Sequence, residues 1–122
     1  MLINLSNHPF STWQENQKKI AKSNYGKIVD LEFPLIPPEE GLEYIKSLAN
    51  KYLQEIENIL IKEKYDNNAV HIMGELTFVY VLVNLLKEKG IKAIASTTKR
   101  NVIETEEGKL SKFEFIRFRE YF

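Results

Sequence analysis

Short apolar runs alternate with segments of helical period along this chain, and that alternation constrains the fold more than any other feature of the sequence. The runs MLINL (1–5), GKIVDLEFPL (26–35), AVHIM (69–73) and IKAIA (91–95) are each bounded by turn-forming residues and read as buried strands. The segment TWQENQKKIAKS (12–23) reads as a first helix, capped by Ser11 or Thr12, with Glu15 early and Lys18, Lys19 and Lys22 late, as a helix dipole favours. Its few apolar positions place it at an edge. A second helix, opened by Pro37 or Pro38, runs from about Glu39 to Lys64, with Leu42, Ile45, Ala49, Leu53, Ile56 and Leu60 at spacings of three or four. The third, from Glu75 to a C-cap at Gly90, is apolar on almost all sides and reads as the central helix.

Strands and helices in strict alternation imply a parallel sheet with right-handed crossovers. The expected fold is a small Rossmann-like or flavodoxin-like α/β domain with helices on both faces. The tail NVIETEEGKLSKFEFIRFREYF adds a C-terminal β-hairpin around its Glu-Glu-Gly-Lys turn. Alternation along that tail puts Phe113, Phe115, Arg117 and Arg119 on one face, and Glu114, Ile116, Phe118 and Glu120 on the other.

At 122 residues the chain fits one domain, 1–122. Seventeen Lys and Arg balance seventeen Asp and Glu, so no global field draws it to duplex nucleic acid or an anionic membrane. The absence of cysteine excludes thiol chemistry and disulfides, and its two separated histidines have no metal-ligand spacing, so no cofactor or metal is expected. The start MLINLSNHPF lacks the basic flank of a signal peptide, and no apolar run is long enough for a membrane span; the expected location is the cytoplasm.

In open α/β sheets ligands bind beyond the carboxyl ends of the strands. That rule gathers Ser6, Asn7 and His8 after the first strand, Met73, Gly74 and Glu75 after the third, and Ser96, Thr97, Thr98, Lys99 and Arg100 after the fourth. Hydroxyls beside cations make an anion-binding set, although polar residues leaving a strand also make an ordinary loop. Gly74 permits close approach of a ligand to the backbone at a helix N-terminus, or simply a turn. Glu75 there either complements the dipole or orients a ribose hydroxyl. His8 is placed to protonate a leaving oxygen or to shape the turn with Asn7 and Pro9, whereas His71, inside AVHIM, reads as a hydrogen-bonded core residue.

The combination of MGELTF, ASTTKR, a short acidic hairpin turn and the closing FEFIRFREY resembles small stand-alone CRISPR-associated proteins of the CRISPR-associated Rossmann-fold (CARF-like) group, most strongly from Val70 to Tyr121. The resemblance implies a single CARF-like domain that forms a homodimer and binds cyclic oligoadenylate across its two-fold axis. Some members of the group cleave the ring, which here would make a metal-independent ring nuclease giving 2',3'-cyclic phosphate ends. It places Gly74 with the following helix, and the loop Thr97 to Arg100, at ligand-facing positions. Lys99 or Arg100 would then stabilise developing charge, Ser96, Thr97 or Thr98 would orient the phosphate, and His8 would be the general acid. A non-catalytic receptor or sponge would use the same pocket, and a structural dimerisation domain would need none.

Overall fold

The computed structural model describes residues 1–122. Its strands are β1 (Leu2–Ser6), β2 (Ile28–Glu32), β3 (Ala69–Ile72), β4 (Lys92–Thr105) and β5 (Gly108–Glu120); its helices are α1 (Glu15–Tyr25), α2 (Leu42–Lys62) and α3 (Leu76–Glu88). They build one sheet in the order β2-β1-β3-β4-β5, parallel through β4 and antiparallel at β5. This is the Rossmann-like α/β fold with a C-terminal hairpin. The chain steps outward from β1 to β2 and then crosses back to β3, so the topological switch point lies between β1 and β3.

Strand alternation divides the core. Ile3, Leu5, Val70, Ile72 and Ala93 pack with Ile45, Ala49, Leu53 and Ile56 of α2 and Phe78, Leu82 and Leu86 of α3. On the opposite face Leu2, Ala69 and Ile94 meet Trp13 and, from α1, Ala21 and Tyr25. That second cluster is smaller, and the row beyond it is polar: Asn4, Ser6 and His71 are buried on the α1 face.

Three boundaries depart from the sequence expectations. Neither Ser11 nor Thr12 caps α1, because Phe10–Thr12 form a separate 3-10 turn in which the Thr12 amide and hydroxyl both donate to the Pro9 carbonyl. The helix starts at Glu15 after Gln14, whose side chain is spent on β5: its Nε2 donates to the Phe113 carbonyl at 2.6 Å and its Oε1 accepts from the Phe115 amide at 3.0 Å. Neither proline opens α2; Pro37 to Glu40 close a turn, and Gly41 is the N-cap.

The third correction bears on the site. β4 does not end at Ala95 but continues to Thr105, because β5 pairs with it residue by residue from Ile94 to Thr105. Ser96 to Arg100 therefore lie in a strand, where successive side chains point to opposite faces. The ladder has one irregularity: Thr97 pairs with Arg117 and Thr98 with Phe115, which leaves Ile116 as the extra residue of a bulge. The bulge turns Phe118 onto the face of Phe115, with ring centroids 5.0 Å apart, and sends Arg117 to the other side. Unbroken alternation along β5 is thereby overturned.

Candidate functional site

The two loops at the switch point, after β1 and β3, together with β4 and the β5 edge, enclose a cavity of about 510 Å³. Ser6, Asn7 and His8 border it from β1, His71, Met73 and Gly74 from β3, and Ser96 and Thr98 from β4. Trp13, Phe113 and Phe115 supply aromatic surface, and Gln14 and Gln17 approach from the side of α1.

The floor is a cross-strand row. Asp30 of β2 is paired in register with Asn4 of β1, and Asn4 with His71 of β3; Ser96 follows on β4, two residues beyond the partner of His71. Each sits on the same face because parallel strands in register align their pleats. Hydrogen bonds join the row from end to end, and their direction is fixed by chemistry. Asn4 faces the Asp30 carboxylate at 2.8 Å and the His8 carbonyl at 2.8 Å with one amide atom. Both partners only accept, so that atom is Nδ2, donating to each. Asn4 Oδ1 then faces the Ser6 hydroxyl at 2.8 Å and His71 Nδ1 at 2.9 Å. His71 Nδ1 must carry the proton, so in the neutral ring Nε2 is the acceptor, and the Ser96 hydroxyl at 2.6 Å donates to it. Gln17 Nε2 donates to Ser96 Oγ at 3.2 Å.

Burial, with His8 as a smaller contribution, pushes the His71 imidazole down to about 4. Near neutral pH the ring is uncharged and its tautomer is set by Asn4. Asp30 is itself held by the Phe10 amide at 3.1 Å, and the His8 carbonyl also accepts from Trp13 Nε1 at 2.9 Å. The His8 backbone thus shapes the turn, and the residue borders the cavity.

The other residues singled out from sequence fall in different places. Glu75 is the N-cap of α3, accepting from the Thr77 and Phe78 amides and from the Thr77 hydroxyl, outside the cavity. These bonds, that from Phe78 first, lower its carboxyl below the ordinary value. Two of the free N–H groups at that terminus are consequently taken by the chain itself. Gly74 borders the cavity, and a Cβ there would lie 2.3 Å from the Phe33 ring, which fills the space on the core side. Thr97 faces away, its hydroxyl exchanging hydrogen bonds with the backbone of Arg117. Arg100 shares the face of Ser96 and Thr98 but stands further out, its guanidinium donating to Ser111 Oγ at 3.2 and 3.0 Å. Lys99 lies on the opposite face, paired in register with Glu114.

Asn4, Asp30, Gln14 and Gln17 are not among the residues expected here from sequence; His71 is the hydrogen-bonded, buried residue expected of AVHIM and in addition borders the cavity. A usable signal was present: MLINL, KIVDLE and AVHIM each carry one polar residue inside an apolar run, and in a parallel sheet such residues can line up. No curated protein and no solved structure matches the chain. A family model matches residues 1–119, which include every residue of the polar row, and by it the chain belongs to the Uncharacterized protein MJ1673 family.

Proposed function

We propose that the cavity binds a single-stranded ribonucleotide, with cyclic oligoadenylate as the specific ligand, and that the chain cleaves it without a metal by attack of the ligand's own 2'-hydroxyl. The observation that carries this reading is the cavity at the switch point, bordered by His8 and floored by the oriented His71 and Ser96 pair. Trp13, Phe113 and Phe115 offer surfaces on which bases stack, and such stacking is indifferent to sequence. Cleavage of a ribonucleotide through its 2'-hydroxyl requires in-line positioning, a proton acceptor and a proton donor, and two histidines at one cavity are suited to the last two roles. The ring-shaped ligand is drawn from the resemblance of MGELTF, ASTTKR and FEFIRFREY to the CARF-like group.

A cavity of about 510 Å³ suits a drug-sized ligand, so a ring of several nucleotides extends beyond it. This supports a homodimer in which two copies share one ring, as part of the same proposal.

The test is incubation of the purified protein with cyclic tri-, tetra- and hexa-adenylate, with and without chelator, followed by separation of products. The expected result is linear product with 2',3'-cyclic phosphate ends, formed equally with chelator. Retention of intact ring would replace the nuclease by a receptor or sponge, and no binding would leave a structural domain. Activity abolished by chelator and restored by a divalent ion would overturn the metal-free step.

A further inference from the structure

Ser96 and His71 carry more than hydrogen-bond satisfaction. We infer that Ser96 and His71 form a directed relay that accepts the proton of a ligand hydroxyl, with Ser96 the group that meets the ligand and Asn4, backed by Asp30, the group that holds the relay in register. The inference rests on the ribonucleotide reading of the cavity and assigns its general base.

Ser96 borders the cavity beside His71, and its own proton already points to His71 Nε2 at 2.6 Å. A hydroxyl arriving in the cavity can hydrogen-bond to the Ser96 Oγ lone pair that Gln17 leaves open, and it can transfer its proton there only as Ser96 passes its own to His71 Nε2. The Nδ1 proton cannot leave toward Asn4, because Oδ1 belongs to an amide whose other atom is committed to Asp30 and the His8 carbonyl. The tautomer is thus locked with the accepting nitrogen toward the ligand. His71 borders the cavity but is only 3% exposed, and the hydroxyl hydrogen-bonded to its accepting nitrogen is that of Ser96.

In the step this supports, the ligand 2'-hydroxyl gives its proton to Ser96 Oγ as Ser96 gives its own to His71 Nε2. The O2'–P bond forms, the P–O5' bond breaks, and the departing O5' takes a proton from His8 in its protonated form. Regeneration returns the His71 proton through Ser96 to solvent, while His8 is reprotonated from solvent. A phosphate anion in the cavity strengthens the base, since nearby negative charge favours the imidazolium. The groups around His71 are His8 from the loop after β1, Asn4 of β1 with Asp30 of β2 behind it, Trp13, Ser96 of β4 with Gln17 of α1 behind it, and Phe118 of β5, so the titratable ones are His8 and Asp30.

The test measures ring binding and ring cleavage side by side for the wild type, Ser96→Ala and His71→Gln, with the pH profile of kcat/KM. Both variants are expected to bind the ring within a few-fold of wild type and to cleave it at least about a hundredfold more slowly. The wild-type profile should fall on an acidic limb that His71→Gln lacks. Ser96→Ala removes one hydroxyl and serves where His71→Gln fails to fold. Normal cleavage in Ser96→Ala, or an unchanged acidic limb in a folded His71→Gln, would overturn the relay while leaving the ligand assignment standing. A ring bound but never cut by wild type would overturn the relay and leave a receptor. No ring bound by wild type would overturn the ligand assignment, and the relay with it. Nitrogen shifts of His71 showing the proton on Nε2 would overturn the relay whatever the ligand.

Discussion

His71 shows how one buried residue couples stability to pH. Its folded-state value of about 4 lies below the ordinary 6.5, so between those values the unfolded chain binds the proton and the folded one does not. Stability is therefore full above about pH 6.5, falls as pH drops through that window, and levels off below pH 4 as far as this group is concerned. The size is about 3 kcal/mol for the interval. Chemical denaturation at pH 7 and at pH 4 should show the loss, and a folded His71→Gln variant should show it reduced; an equal loss in the variant would assign it to other groups. Glu75 tests a neighbouring point. Because its carboxylate caps α3 rather than facing the cavity, Glu75→Ala should cost about 1 kcal/mol and leave ring affinity unchanged. Weakened binding with intact stability would return Glu75 to the ligand.

At the scale of elements, the β4–β5 hairpin decides which polar residues serve the cavity. Extension of β4 through Thr105 converts the Ser-Thr-Thr-Lys-Arg stretch from a loop, in which all five residues could converge, into a strand that sorts them by face. Arg100 falls on the face of Ser96 and Thr98, and Lys99 does not. If phosphate meets this face, Arg100→Ala should weaken ring binding by about 1 to 2 kcal/mol while Lys99→Ala leaves it near wild type, a difference readable by titration calorimetry. Equal effects, or the reverse order, would place the phosphate elsewhere. The side chains of Gln14 and Asn16 bond the backbone of β5 at Phe113 and Phe115, which ties the edge strand to α1 and fixes the aromatic wall of the cavity. The bulge at Ile116 brings Phe118 against Trp13 and His71, with ring centroids 6.0 and 5.7 Å away, which supports those two cavity residues without lining the cavity.

For the whole molecule, the two faces of the sheet have different duties. The α2 and α3 face holds the larger core, centred on residues such as Ile3, Ile72 and Phe78, while the α1 face carries the polar row and the cavity. No helix is long and apolar enough to cross a membrane. The outer side of α3 nonetheless leaves Leu76 and Tyr80 82% and 73% exposed, one helical turn apart. If these residues form the homodimer surface, Tyr80→Lys should shift a dimeric mass toward monomer in sedimentation without changing the far-UV spectrum. A wild type that stays monomeric across concentrations would remove the shared-ring assembly.

The sequence by itself determined the order of elements, the parallel sheet, the terminal hairpin and the edge on which polar residues collect. These follow from local period and short-range turn chemistry, which are written in contiguous residues: the alternation of MLINL, AVHIM and IKAIA with helical segments is enough. It also marked Ser6, Asn7, His8, Gly74, Ser96 and Thr98, all of which border the cavity. Only the tertiary structure decided the rest. Whether β4 stops at Ala95 or runs to Thr105 depends on pairing with β5, from Thr105 with Gly108 out to Ala95 with Arg119, and the facing of Phe118 depends on a bulge that no alternation reveals. Asn4 and Asp30 are unremarked inside apolar runs, and His71 reads only as a hydrogen-bonded core residue; they become a row because three strands distant in sequence pair in one register. The direction of their hydrogen bonds, and hence the tautomer of His71, is a property of the assembled row, since an amide is oriented by what surrounds it and not by its own residue type.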